Sequence, residues 1–112
     1  MGARTNYTII TTDNPDQNIN VYSHWDGDDS EYIFHQAILA AKPRWNDISY
    51  AVRIIIDQLT KDGRDKETGY GIYVGEVNHE EQYQYKSVDL RNKIVTIGDT
   101  EYSMEAWLAA IA

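Results

Sequence analysis

The stretch from Lys42 to Leu59 constrains the fold most, because it combines a helix break with the longest apolar stripe of the chain. Pro43 cannot occupy the interior of a regular helix, and it disfavours the α conformation at Lys42. Asp47 is then placed to cap a new helix. The apolar residues that follow at helical spacing are Ile48, Val52, Ile55, Ile56 and Leu59. We therefore expect two consecutive helices, the second with one buried face.

Two segments near the N-terminus have the character of β-strands. Residues 6–12 are rich in β-branched side chains, and residues 19–25 alternate strictly. The residues between them, 13–18, are turn formers. In the second segment one face carries Ile19, Val21, Ser23 and Trp25, and the other carries Asn20, Tyr22 and His24. The pattern predicts an antiparallel hairpin with one buried face and one available face.

The remaining elements follow from the same periodicities. A helix that Ser30 or Asp29 is expected to cap has the apolar positions Phe34, Ala37, Ile38 and Ala41. Strands are expected over residues 70–77, 83–90, 93–97 and 100–102, with a tight turn at Gly98-Asp99. Ser103 is expected to cap a last helix, whose apolar residues are Met104, Trp107, Leu108 and Ile111. The order predicts an α+β fold: a small antiparallel sheet of four to six strands with two or three helices packed on one face.

Composition limits the classes of function. With 112 residues, 42% of them hydrophobic, the chain is expected to form a single globular domain over residues 1–112. It contains no apolar run long enough for a membrane span and no signal-peptide core. The absence of cysteine excludes disulfides and thiolate chemistry, and it fits a cytoplasmic protein. The net charge of −8 disfavours direct nucleic acid binding and favours basic partners or simple solubility.

Catalytic and metal-binding motifs are weak. The acidic run Asp26, Asp28, Asp29 and Glu31 lies beside His24, but it lacks the ligand spacing of an EF-hand, so we interpret it as a helix-capping turn. No zinc motif, nucleophile elbow or cysteine nucleophile is present. We therefore expect no cofactor, no metal and no catalytic residues, and we favour a binding protein over an enzyme.

The candidate binding residues are arginines and aromatic residues near the helix break and the hairpin. Arginine suits bidentate contact with phosphate, and tyrosine or tryptophan suits stacking on a base. The candidates are Tyr22, His24, Arg44, Trp45, Tyr50, Arg53, Thr68 and Gly69. The alternative interpretation is that Trp25, Trp45 and Trp107 belong to the core and that the arginines pair with surface carboxylates.

Four motifs give the chain a resemblance to known proteins. They are G-A-R-T-N-Y at 2–7, Y-S-H-W-D-G at 22–27, P-R-W-N-D-I-S-Y-A-V-R at 43–53 and E-T-G-Y-G-I at 67–72. Together they resemble a family of small bacteriophage proteins. The resemblance implies a phage accessory protein that acts in the host bacterial cytoplasm.

Three functions remain open at this point. The first is inhibition of a host defence system by binding a host protein complex, with scattered carboxylates occupying a basic groove. The second is a sponge that sequesters a small nucleotide-like signal. The third is a small hydrolase or nuclease. Whether the chain forms a homo-oligomer is also open.

Overall fold

The structure is a computed structural model that describes residues 3–77 and 85–111, with every side chain in these ranges except that of Ile111. The helices and strands follow the predicted order. Their bounds are β1 Thr5–Ile10, β2 Ile19–Ser23, α1 Ser30–Ala41, α2 Ile48–Thr60, β3 Tyr70–Val74, β4 Lys86–Asp89, β5 Ile94–Ile97, β6 Thr100–Ser103 and α3 Met104–Ile111. The predicted start of the fourth strand, at Tyr83, lies outside the described residues.

The described strands form one sheet in the order β3-β2-β1-β4-β5-β6. The predicted hairpin is confirmed, with β1 and β2 antiparallel and Tyr7 opposite Val21. The expectation of a wholly antiparallel sheet is wrong at one pair, because β1 and β4 run parallel with Thr8 opposite Ser87. β2 and β3 occupy one side of β1. β4 therefore pairs with β1 on the other side, and it runs in the same direction as β1.

The three helices cover one face of the sheet, as predicted. The Phe34 ring of α1 lies 5.5 Å from the Tyr7 ring of β1, measured between centroids. Trp107 of α3 lies 5.7 Å from Phe34, and the His35 ring donates a hydrogen bond of 3.1 Å to the Leu108 carbonyl. The side chains buried on this face of the sheet are Tyr7, Ile9, Val21, Val88 and Val95. The α+β fold is therefore confirmed.

The apolar stripe of α2 is centred differently from the prediction. Ile55 and Leu59 are buried as expected, and Ala51, which the sequence pattern did not include, is fully buried with them. The predicted members Ile48, Val52 and Ile56 are only half-buried. The buried face of α2 is therefore centred on Ala51, Ile55 and Leu59, which all belong to the core.

The face of the sheet opposite the helices is polar, yet its centre is also buried. Thr8 donates a hydrogen bond of 2.7 Å to the side-chain oxygen of Asn20. The Asn20 amide donates to the Gly75 carbonyl over 2.7 Å, and the Tyr73 hydroxyl donates to Asn6 over 2.8 Å. The hairpin face that was expected to be accessible to a partner is therefore inaccessible at Asn20, which is fully buried.

Local signals at the helix ends are confirmed in part. Ser103 accepts a hydrogen bond from the Ala106 amide over 3.1 Å and so caps α3 as predicted, and Gly98 turns the last hairpin with φ of 61°. Pro43 lies in a short 3-10 turn between α1 and α2. Asp47 precedes α2, but its side chain makes no capping hydrogen bond to the helix backbone. Within the described ranges, no helix combines the length and hydrophobicity needed to cross a membrane.

Candidate functional site

Three of the predicted binding residues meet at the end of β2. The backbone amide of His24 donates to the Gly69 carbonyl over 2.9 Å, and the Tyr22 hydroxyl shares a hydrogen bond of 2.7 Å with Nδ1 of His24. The His24 ring packs edge-on against Trp25 at 4.4 Å between centroids. We refer to Tyr22, His24, Trp25 and Gly69 as the hairpin cluster.

Trp25 is the most exposed member of the hairpin cluster, with 62% of its surface accessible. The predicted strand would have turned it inward with Val21, but β2 ends at Ser23. The Ser23 hydroxyl then bonds Asp26, and the chain turns before Trp25 can continue the alternation. The expectation that Trp25 shares the Val21 face is therefore wrong. The sequence did contain a signal for the site, because Trp25 adjoins the candidate His24.

The position of Gly69 in the hairpin cluster requires glycine, because of its backbone conformation and its lack of a side chain. Its φ of 101° is a conformation that other residues rarely adopt. A β-carbon at this position would lie 3.5 Å from the indole nitrogen of Trp25. The tryptophan ring therefore covers the glycine. Thr68, the neighbouring candidate, is exposed in the loop before β3.

The second group of predicted residues does not form one site. Trp45 is buried, and its indole N–H donates to the Ile38 carbonyl over 3.1 Å, so it anchors the interhelix turn to α1. This burial contradicts its proposed role as a stacking platform. The Arg44 guanidinium lies 5.4 Å from the centre of the exposed Tyr50 ring, which is a cation–π contact. Arg53 is exposed on α2.

A pocket that sequence reasoning missed lies between the two long helices. It has a volume of about 410 Å³, and we refer to it as the α1–α2 pocket. Its lining residues are Asp26, Asp29, Tyr32, Ile33, Gln36, Gln58, Lys61 and Asp62. They come from three separate segments, so no local motif could have identified them.

Asp26 forms the border between the hairpin cluster and the α1–α2 pocket. Its Oδ2 accepts hydrogen bonds from the Ser23 hydroxyl over 3.0 Å and from the Tyr70 hydroxyl over 2.7 Å. Burial and the hydrogen bond to Asp26 both raise the pKa of Tyr70 above its usual value. Asp26 therefore has a fixed position, and Tyr70 remains a neutral donor at physiological pH.

The acidic segment, residues 26–31, leads from Asp26 into α1. Asp28, Asp29 and Glu31 are exposed. Asp29 precedes α1, but its side chain makes no capping hydrogen bond, so its expected capping role is wrong. The Ser30 hydroxyl donates to the Gly27 carbonyl over 2.8 Å. Among the described residues, no group of three or more histidine, aspartate or glutamate side chains is arranged to hold a metal ion. The exposed carboxylates form a negatively charged surface on the segment that follows Trp25 in the chain.

No known protein family matches the chain, and no curated protein or solved structure is significantly similar to it. The resemblance to bacteriophage proteins stays a prediction. The contacts of the hairpin cluster, the acidic segment and the α1–α2 pocket are the basis for assigning a function.

Proposed function

We propose that this chain is a phage-encoded accessory protein that binds a host protein complex in the bacterial cytoplasm and thereby inhibits a defence system. The observation that carries the proposal is the position of Trp25, a large exposed ring that stands at the start of the acidic segment. The phage context comes from the resemblance of the sequence motifs. The binding surface comes from the hairpin cluster and the acidic segment together.

The physical reason is that Trp25 combines exposure with a fixed orientation. His24 packs against its ring, and the backbone of His24 is held by Gly69. Tryptophan is among the residues that most often dominate binding energy at protein interfaces. A side chain that is already ordered loses less conformational entropy when a partner covers it. Trp25 is therefore suited to be the central anchor of an interface.

The acidic segment specifies the kind of partner. Asp28, Asp29 and Glu31 are exposed next to the anchor, in a protein with a net charge of −8. A basic surface on the partner would be attracted over a distance of about 10 Å at moderate salt and would associate faster. We therefore expect a host protein with a basic groove or patch, and we expect its association to slow as salt is added.

The test is affinity purification of the tagged protein from defence-active cells, followed by native mass spectrometry. The wild type should retain a host protein complex, and Trp25→Ala should lose it while keeping a normal circular dichroism spectrum. The matched control is Tyr102→Ala, which removes another partly exposed ring at the far edge of the sheet, on β6. Retention of the complex by Trp25→Ala would overturn the assigned surface.

The alternative function, a sponge for a small nucleotide-like signal, is favoured by one contact. The Arg44 guanidinium lies 5.4 Å from the centre of the exposed Tyr50 ring, and such a pair can hold a phosphate beside an aromatic base. Native mass spectrometry separates the two functions, because a bound nucleotide adds far less mass than a host protein. The double variant Arg44→Ala/Arg53→Ala should lose defence inhibition if the sponge is correct. Under the first proposal, charge reversals in the acidic segment should abolish it instead.

A further inference from the structure

β3 is an edge strand of the described sheet, since the order β3-β2-β1-β4-β5-β6 places only β2 beside it. The ladder shows which of its backbone groups face outward. The Gly69 carbonyl, just before the strand, accepts from the His24 amide and so points toward β2. Backbone groups alternate in direction along an antiparallel strand, so those of Tyr70, Ile72 and Val74 point away from β2. These three residues present donors and acceptors to another strand.

The same strand exposes apolar side chains. Ile72 lies opposite Val21 and Val74 lies opposite Ile19, so both point to the face that carries the helices. The helices leave this edge uncovered, since Ile72 is 57% exposed and Val74 is 66% exposed. β3 contains no charged residue, whereas β6 at the other edge carries Glu101. Charged side chains on an edge oppose pairing with another chain, and β3 lacks that protection.

Charges of opposite sign lie at the two ends of β3. A cleft of about 230 Å³ lies beside the start of the strand, and its charged lining residues are Arg64 and Lys66. The acidic neighbours in the loop, Asp65 and Glu67, are not among the lining residues. The exposed Glu76 follows the other end of the strand. A second copy that runs antiparallel would therefore bring its own Glu76 to the basic cleft.

We propose that two copies of the chain pair through β3 and form a two-fold symmetric dimer, in which the two six-stranded sheets become one. The outward backbone groups match themselves when Ile72 lies opposite Ile72 of the second copy and Tyr70 lies opposite its Val74. The second copy's Glu76 then lies beside Lys66. Such an interface closes at two copies. It needs no host protein, so it goes beyond the proposed function.

Cysteine substitutions test this pairing in the full chain, which has no cysteine of its own. In the dimer, Ile72→Cys faces itself across the two-fold axis with Cα atoms about 5.5 Å apart, a distance that a disulfide spans. The matched control is Val74→Cys, whose counterpart lies about 14 Å away along the strands. Under mild oxidation Ile72→Cys should form covalent dimers about fivefold faster or more, although Val74 is the more exposed residue.

Sedimentation equilibrium from micromolar to millimolar concentration measures the dimer directly. The mass of the wild type should approach that of two chains as its concentration rises. Ile72→Lys places two like charges on the axis and should raise the dissociation constant about fivefold or more. The matched control is Thr100→Lys, which adds the same charge to the exposed edge strand β6 and should change the constant less than about twofold. Both variants should keep the circular dichroism spectrum of the wild type.

Charge exchange tests the contact between the two ends of the strand. Lys66 is the cation to exchange, because Arg64 is already held by Asp57 over 2.8 Å. Lys66→Glu and Glu76→Lys should each weaken the dimer about threefold or more, and the double variant should restore it, since the two charges interact only across the interface.

Three outcomes would overturn the proposal. One is a wild type that stays monomeric at millimolar concentration. Another is cross-linking of Val74→Cys as fast as that of Ile72→Cys, which would indicate random collisions. The third is a dimer that Ile72→Lys and Thr100→Lys weaken equally, which would assign the self-association to another surface.

Discussion

The Tyr70 hydroxyl donates a hydrogen bond of 2.7 Å to Oδ2 of Asp26, although the two residues are 44 positions apart in the chain. The contact joins the first residue of β3 to the segment that leads into α1. Asp26 also accepts from the Ser23 hydroxyl, so one carboxylate fixes the corner where β2, β3 and α1 meet. The hairpin cluster and the α1–α2 pocket lie on the two sides of this corner.

Alkaline pH should destabilise the protein through its raised tyrosine pKa values. Burial raises the pKa of Tyr7 and of Tyr70 above the ordinary value of 10.0. Above pH 10 these side chains ionise in the unfolded chain and stay protonated in the folded protein. Their contribution is therefore complete below pH 10, and the free energy of unfolding should fall as the pH rises further.

Urea melts between pH 8 and pH 11.5 measure this dependence. Tyr7→Phe should make the slope above pH 10 shallower, by up to about 1.4 kcal/mol per pH unit for one group. The matched control is Tyr50→Phe, which removes a hydroxyl from an exposed tyrosine instead of a buried one. Identical slopes for wild type and Tyr7→Phe would show that the hydroxyl ionises equally in both states.

The register of α2 can be tested by paired truncations. Ile55 is fully buried and Ile54 is only half-buried. Ile55→Ala should cost about 2–5 kcal/mol, because it removes buried methylene groups and leaves a cavity. A loss of that size is a large share of the stability of a small domain. Ile54→Ala should cost clearly less in the same urea melts. Equal losses at the two positions would contradict the helix register.

Gly63 should not tolerate a side chain. A β-carbon there would lie 2.8 Å from Cε2 of the Tyr70 ring, which is held at its tip by Asp26. We expect Gly63→Ala to cost about 1–3 kcal/mol in thermal or urea melts, as other overpacked substitutions do. Gly71→Ala is the control, since a β-carbon there would lie 4.0 Å from the Tyr22 β-carbon, which is an ordinary contact. The loss from Gly63→Ala should largely disappear in a Tyr70→Ala background, and persistence of the full loss would exclude the steric cause.

The tryptophans should differ in solvent access and in stability. Trp25 is 62% exposed, whereas Trp45 is 7% exposed and donates to the Ile38 carbonyl. Trp25→Phe should remove most of the fluorescence that neutral acrylamide quenches readily, with little change in stability. Trp45→Phe should cost about 1–3 kcal/mol, because the buried Ile38 carbonyl loses its side-chain donor. Strong quenching that survives Trp25→Phe would contradict the exposed placement of that ring.

Divalent metals should not affect folding. Asp26 is already engaged by Ser23 and Tyr70, and the spacing of the acidic segment does not match a calcium loop. The melting temperature should therefore be the same with EDTA as with millimolar calcium or magnesium, as scanning calorimetry would show. A rise of many degrees with calcium would instead make Asp26, Asp28 and Glu31 ligands.

Several features could be predicted from the sequence because they depend on near neighbours. The spacing of Phe34, Ala37 and Ile38 places them on the buried face of α1, and that burial is confirmed. The cap at Ser103 and the turn at Gly98 are also confirmed, since both depend on the preferences of a few adjacent residues. The candidates Tyr22, His24 and Gly69 do meet in space, although 45 positions separate His24 from Gly69.

The exposure of the tryptophans and the position of the pocket were decided by the tertiary structure. Trp25 and Trp45 have similar sequence surroundings, with a charged or polar residue on each side, but β2 ends before Trp25 while α1 covers Trp45. The parallel pairing of β1 with β4 depends on the route of the returning chain. The α1–α2 pocket depends on how two helices and a turn pack. Such features arise from contacts between distant segments, and sequence periodicity reports only which face of each element is apolar.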